Sequence, residues 1–484
     1  MIEAALAQLR FAASLAFGVQ FSTRSLERLI AAIKETQHEF GSLNSEGAEL
    51  LAGPSLDAET RRQMQLSRFR KQATLAAKET EYYADLFKRL QLNPARLTQD
   101  ELARLPFTSK EAVRDNPDAF VRRSVQTFLR AMTTGTTGKP TSICFSNYEL
   151  QLYFALAAIA FLYSGDIEPE DIIQISTSAR GTLGNVCFAG GCAHVGAQVY
   201  LTGVIDPQQA LALLAEERHL PGKPRQTSVL DTYPSYLGEL VEYGLRLGYR
   251  PTDFGLKKIM VGGELVSAGL KERTKELFGE VRYLEGYGMT EIWPLGGTLC
   301  QQGHLHFEPS QGLVEVCNPS TGAPVQPGEI GTLVITPFFP YRETTMLLRY
   351  DTGDAVQVLA EQPLTCNLRN LPATGHLQGK YKLAVQTESG WIYPRQIIEA
   401  LEAVKEVPLP ARFGFWEARG GVGVEVLVRE NNPQVRCKLG NSLEKWGVPL
   451  RELYLCTDPG QLQRPYPLRG DLRENTFTPS AVPV

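Results

Sequence analysis

The chain predicts an α/β protein: a large N-terminal domain of layered mixed sheets and helices carrying a β-rich subdomain, followed by a small, mobile α+β domain. Three observations carry this. With 484 residues, 43% of them hydrophobic and 21% charged, there is enough apolar material for more than one core. From about Phe107 onward, short β-rich runs (DIIQIS, AQVYL, KKIMVGGE, EVRYLEGYG) alternate with helical segments (DPQQALALLAEER, SAGLKERTKELFG), the pattern of a sheet with many parallel strands. After Gly331, GTLVITP and DAVQVL read as antiparallel strands between Gly- and Pro-rich turns.

In chain order, residues 1–105 form a helical leader, because SLERLIAAIKETQHEF and the run around KQATLAAKETEYYADLFKRL keep helical spacing. Residues 106–330 form the α/β core and 331–378 the β-rich subdomain, which together with the leader make a large domain of 1–378. Residues 379–484, with runs such as GWIYP, RQIIEALEAV and VGVEVLV, make the small C-terminal lid domain.

Composition narrows the function class. A formal net charge of -4 argues against nucleic acid as a partner and for a small molecule. The eight cysteines contain no Cys-x-x-Cys pair, so a reduced, cytoplasmic protein is expected. Glu3 and Arg10 are at odds with a signal peptide. The apolar run Leu150 to Gly165 falls short of the ~20 residues of a membrane span, and Gly181 to Ile205 is broken by polar residues and glycines, so both are expected in the core and no membrane partner is expected.

The segment Ala131-Met-Thr-Thr-Gly-Thr-Thr-Gly-Lys-Pro-Thr141 concentrates hydroxyls and glycines, which free backbone N–H groups to face an anion. It is not the Walker pattern, since Lys139 is followed by Pro140. A Gly/Thr turn without a ligand has the same composition, so the reading depends on its surroundings.

Those surroundings resemble the phenylacetate-coenzyme A ligase branch of the adenylate-forming superfamily. PFTSKEAVRDNPDA at 106–119 is similar to the Pro-Phe-Thr-x-Lys segment that precedes the family's threonine-rich loop, and KETEYYADLFKRL to its helix with an aromatic pair. Gly286-Tyr-Gly-Met-Thr-Glu291 is similar to its Tyr-Gly-x-Thr-Glu motif, and Leu347-Leu-Arg-Tyr-Asp-Thr-Gly-Asp354 to its Tyr-x-Thr-Gly-Asp motif. The segments stand in the family's order over roughly residues 75 to 400.

The resemblance implies an adenylate-forming fold that uses ATP and Mg2+ to turn a carboxylic acid into an acyl-adenylate, with coenzyme A as the acceptor. It assigns the nucleotide to Thr133, Thr134, Gly135, Thr136, Thr137, Gly138, Gly263, Glu264, Gly286, Tyr287, Gly288, Asp354 and Arg369. Tyr287 would lie against adenine and Asp354 would accept the ribose hydroxyls, as aromatic faces and two-oxygen carboxylates suit those partners. Thr290, Glu291, Lys139 and Arg469 are the implied catalytic residues, Glu291 holding Mg2+ as a hard oxygen ligand. Phe188, Gly190, Gly191, Tyr233, Met289 and Ile292 are expected to line an apolar slot for an aromatic or compact ring acid, although each residue type is as common in ordinary core.

Two departures bear on the chemistry. The family's hinge Gly-Arg-x-Asp-Asp is here Gly379-Lys-Tyr-Lys-Leu-Ala, and its C-terminal Gly-Lys is absent, leaving Arg469 as the nearest cation. Arginine does not replace lysine at a tight site. The acceptor is therefore coenzyme A, an amine or a carrier protein, and a non-catalytic nucleotide-binding regulator is the alternative of another class. A homodimer is implied by analogy alone. Cys300, His306 and Cys366 are candidate ligands for a structural Zn2+, with His304 alongside; buried thiols and hydrogen-bonded histidines are the alternative, since Cys-x5-His identifies no metal.

Overall fold

The computed structural model describes residues 2–41, 57–133, 140–178, 182–359, 365–463 and 465–466. The chain divides into two compact units, each assembled from separate stretches. The first comprises Met1–Asp171, Gly181–Val199 and Gly286–His376, and the second Ile172–Arg180, Tyr200–Glu285 and Leu377–Val484.

The first unit opens with helices Ile2–Phe17, Thr23–Phe40, Ala58–Glu79 and Glu81–Leu90. Thr80 separates the last two: its extended backbone ends one helix, and its hydroxyl accepts from Tyr83 N to cap the next. The apolar run after Leu150 lies in helix Asn147–Ser164, which begins in a capping box of Ser146 and Glu149 and stops at Gly165 in the left-handed conformation. It packs against helix Leu183–Val195. Among the described residues no helix is long and apolar enough to cross a membrane.

Strands Gly312–Cys317, Ile330–Pro337 and Tyr350–Gln357 pair antiparallel in the same unit. A register shift opposite Thr332 and Val334 bulges the last strand at residues 352–354, which re-aims Asp354. Gly286 and Tyr287 pair with Thr298 and Gly297, strand Gly297–Leu299 pairs with Leu305–Phe307, and Ala373–Thr374 pairs with Leu305 and His306.

In the second unit, strands Ile172–Ser176, Val229–Thr232 and Lys258–Gly262 pair in parallel, and helices Pro207–Ala215, Pro234–Arg246 and Ala268–Phe278 bury Leu211, Leu237, Leu240 and Leu277 in their shared core. A further core forms around Ile397, Leu401, Phe413, Val424 and Leu439, supplied by helices Pro394–Glu402 and Pro433–Lys445 and strands Phe413–Ala418 and Gly421–Leu427. Buried Glu402 accepts from Ser267 Oγ and Ala411 N, and a Cβ on Gly269 would meet the Glu402 backbone at 2.4 Å. Only glycine permits that approach.

The first unit is pinned by Arg349, which is fully buried with φ at +47°. Its guanidinium donates to the carbonyls of Ala103 (2.8 Å), Leu105 (2.5 Å) and Gly322 (2.8 Å) and lies 3.1 Å from Glu315 Oε2. Burial raises the Glu315 carboxyl above its ordinary value, and the Arg349 guanidinium beside it pulls the other way. Removing the cation strands a buried carboxylate. Arg349→Met is therefore expected to cost about 3–5 kcal/mol, read as a lower urea midpoint with unchanged slope; an unchanged midpoint would show that the pair contributes nothing.

Candidate active site

Thr108 aligns the Pro-Phe-Thr-Ser-Lys segment with the strand that starts at Tyr350. Its N–H donates to Arg349 O (3.0 Å), its carbonyl accepts from Asp351 N (3.1 Å), and its hydroxyl donates to Leu348 O (2.6 Å). Tyr83 adds a second tie, its hydroxyl bonding Thr108 Oγ1 at 2.7 Å and accepting from Leu348 N at 2.7 Å. Two segments 240 residues apart are thereby held edge to edge.

Lys110, the first residue of helix Lys110–Asp115, consequently reaches Glu291: its Nζ lies 3.2 Å from Oε1. Tyr350 donates its hydroxyl to the same oxygen at 3.1 Å. Glu291 is 1% exposed while the Lys110 side chain is 40% exposed, so a buried carboxylate faces outward through a cation. Burial, reinforced by the Glu291 charge, holds the Tyr350 phenol far above its ordinary range, and it donates as a neutral hydroxyl.

The other half of this site is Tyr287 and Asp354. The phenol donates to Asp354 Oδ2 at 3.0 Å, and the ring stands edge-on to Phe307, centroids 6.5 Å apart. Burial, then the Asp354 charge, keeps this hydroxyl protonated as well. Asp354 is carried on the bulge, where Gly353 has φ +67° and donates its N–H to Asp351 Oδ1 at 2.9 Å, and Asp354 N donates to Thr352 Oγ1 at 3.1 Å.

Gly288, Met289 and Thr290 are half-buried in the turn leading to Glu291, whereas Ile292 is fully buried beneath it. The turn closes through Met289 O, which accepts from Ile292 N and Trp293 N, each at 3.2 Å. Arg342, fully buried beside Glu149, donates to Trp293 O at 3.0 Å and holds the turn from below. Glu149 in turn accepts from the N–H groups of Ser146, Glu343 and Thr344.

The threonine-rich loop is closed at its base, where Thr133 N donates to Thr141 O at 2.9 Å and Thr141 N to Thr133 Oγ1 at 3.1 Å. The expected phosphate residues Thr134, Gly135, Thr136, Thr137, Gly138 and Lys139 lie outside the described residues, as does Arg469. In the second unit, Gly263 has φ +83°, and Glu264 accepts from Ser235 N at 2.9 Å, capping helix Pro234–Arg246 next to Tyr233.

Three residues expected in the acid slot have a packing role. Phe188 meets Phe161 edge-on at 5.3 Å. A Cβ on Gly190 would stand 2.4 Å from the Phe154 ring, and one on Gly191 2.7 Å from Ala157 Cβ. These glycines let helix Leu183–Val195 lie close against helix Asn147–Ser164, a demand that their sequence pattern does not distinguish from an open slot.

A second cluster lies where strands Gly297–Leu299 and Leu305–Phe307 meet the segment before Ala373. Ligand atoms of Cys300, His304, His306 and Cys366 lie within 4.8 Å of one another. His306 Nε2 is 3.3 Å from Cys366 Sγ, while its Nδ1 faces Leu371 O at 3.2 Å, which favours a proton on Nδ1 and leaves Nε2 a lone pair. Burial lowers the His306 pKa, and His304 Nδ1 is buried without a hydrogen-bond partner among the described residues. Arg369 sits in the turn after Cys366, its N–H donating to Cys366 O at 3.1 Å.

Lys110, Tyr350 and His304 were not assigned to these sites from the sequence. Lys110 and Tyr350 stand inside the Pro-Phe-Thr-Ser-Lys and Tyr-Asp-Thr-Gly-Asp motifs, and the pairing through Thr108 brings both to Glu291.

Comparison with known proteins bears on the family and the fold. The AMP-binding enzyme family model matches residues 54–337. The chain is similar to a phenylacetate-coenzyme A ligase of Thermus thermophilus, 26% identical over 361 residues, 73% of this chain and 78% of the ligase. It is similar to one of Pseudomonas putida, 26% identical over 358 residues, 72% of this chain and 76% of that one. A crystal structure of 2-hydroxyisobutyryl-CoA ligase in the postadenylation state shares the fold at TM-score 0.69 and 19% identity, over 85% of this chain and 89% of that chain.

The helix-packing role of the glycines makes a prediction. Gly190→Val is expected to lower stability by roughly 1–3 kcal/mol through overpacking and to leave ATP affinity unchanged; a changed acid preference at full stability would return Gly190 to a substrate slot.

Proposed function

The chain belongs to the AMP-binding enzyme family, on its phenylacetate-coenzyme A ligase-like branch, and we propose that it activates a carboxylic acid as acyl-AMP and transfers the acyl group to the thiol of coenzyme A. The observation that carries this reading is the pair of tyrosine–carboxylate contacts, Tyr350 with Glu291 and Tyr287 with Asp354, in one compact unit. They support one carboxylate facing a cation and one beside an aromatic face, as a metal–phosphate end and a nucleoside end require.

A carboxylate carries no leaving group better than oxide, so it first attacks the α-phosphorus of ATP. The new bond is carboxylate oxygen to phosphorus, the bond broken is that to pyrophosphate, and the product is a mixed anhydride. A thiol then attacks the carbonyl and AMP departs. In this reading Glu291 holds Mg2+, whose charge offsets that developing on the phosphoryl oxygens. A buried carboxylate already facing an ammonium group suits a cation. Thr290 donates to the α-phosphate, Asp354 accepts from the ribose diol, and the ring of Tyr287 covers the base.

The acid is an aromatic or compact ring acid, with Met289, in the half-buried turn before Glu291, as the residue of the first unit that would touch it. Two relatives named for phenylacetate support this class. An amine or a carrier protein is the competing acceptor.

For the second cluster, we infer a structural zinc held by Cys300, His304, His306 and Cys366. Two sulfurs and two imidazoles are an ordinary tetrahedral set, and the Leu371 carbonyl on His306 Nδ1 supplies the outer contact that orients such a ligand.

The function is tested by pyrophosphate release from ATP and Mg2+ against a panel of aryl, heteroaryl and aliphatic acids, with and without coenzyme A. Release should depend on one ring acid and rise with coenzyme A, and Glu291→Gln should lower it by about 10²-fold or more. Release that rises with an amine but not with coenzyme A would overturn the acceptor. For the zinc, metal analysis of the purified protein should give about one equivalent per chain, lost in Cys300→Ser together with a lower melting temperature. Metal-free protein of unchanged melting temperature would leave the cluster as buried thiols and imidazoles.

A further inference from the structure

We propose that Lys110 is a resident counter-cation that occupies Glu291 until a metal–nucleotide complex displaces it, so that the bare metal ion does not load the site. The proposal rests on the reading of Glu291 as the metal ligand.

Glu291 is nearly inaccessible, and an unpaired carboxylate at that depth is strongly disfavoured. Its Oε1 receives two donors, the Lys110 ammonium at 3.2 Å and the Tyr350 hydroxyl at 3.1 Å. Tyr350 is neutral, so the charge is balanced by Lys110. An ammonium at that distance and a magnesium ion on the same carboxylate repel each other, because the buried carboxylate screens them poorly.

The lysine is fixed at one end and free at the other. Its backbone follows Ser109, whose Oγ accepts from Ala112 N at 3.1 Å, and Thr108, held by Arg349 and Tyr83. Its Cα therefore cannot retreat, while the partly exposed side chain can swing off the carboxylate. A bare divalent ion must eject the ammonium without compensation. A nucleotide brings phosphate charge that offsets both cations, and metal and ATP then load together.

The test is Mn2+ binding to the full chain by electron paramagnetic resonance, with and without the non-hydrolysable analogue α,β-methylene-ATP. Without nucleotide, Lys110→Met should bind Mn2+ at least about tenfold more tightly than the wild type, Lys110→Arg should behave like the wild type, and with the analogue the gap between Lys110→Met and the wild type should close. Equal binding by Lys110→Met and the wild type without nucleotide would overturn the proposal. Should Lys110→Met fail to fold, Lys110→Gln carries the same expectation. Glu291→Gln separates the two claims: if, with the analogue present, this variant binds Mn2+ as the wild type does, Glu291 is not the metal ligand. If it weakens that binding but loss of Lys110 tightens nothing, only the role of Lys110 falls.

Discussion

The buried guanidinium of Arg349 and the backbone pairing of Thr108 beside it are the constraint on which the first unit depends. Arg349 gathers the carbonyls of Ala103, Leu105 and Gly322, and its own carbonyl takes the Thr108 N–H. The chain therefore passes through this point from three directions. A cation so placed is stable because three carbonyls accept from it and Glu315 supplies the opposite charge. Placing Lys110 and Tyr350 on one carboxylate follows from this anchor.

The same logic recurs in the layer below. Glu149 is buried, yet three backbone N–H groups and the Thr344 hydroxyl satisfy it, and Arg342 beside it holds the turn that follows Glu291. Rigid buried charges fix the backbone, and groups with partial exposure, Lys110 above all, are left to respond to ligands. That division suits an enzyme that must hold phosphate chemistry in register while substrates enter and leave.

Much of this was legible in the sequence because its motifs are local. The runs DIIQIS and KKIMVGGE became parallel strands, and GTLVITP and DAVQVL antiparallel ones, since burial on both faces or on one leaves a readable pattern. Tyr287, Glu291 and Asp354 were readable as motif members. What was not readable depends on pairing between distant segments: nothing in Pro-Phe-Thr-Ser-Lys announces that Lys110 meets a glutamate far along the chain. The glycines of helix Leu183–Val195 are ambiguous for a related reason, because a close helix contact and an open slot both call for small residues. The convergence of His304 with Cys366 depends on a strand pairing that spacing does not encode.

The central claim is that an acid oxygen becomes bonded to the α-phosphorus before any thiol attacks the acyl carbon. Turnover of a substrate acid labelled with 18O in its carboxylate, followed by mass spectrometry of the nucleotide product, tests it directly. One labelled oxygen recovered in AMP is the predicted result. Label in inorganic phosphate, with ADP as the nucleotide product, would mean an acyl-phosphate route and would contradict the account.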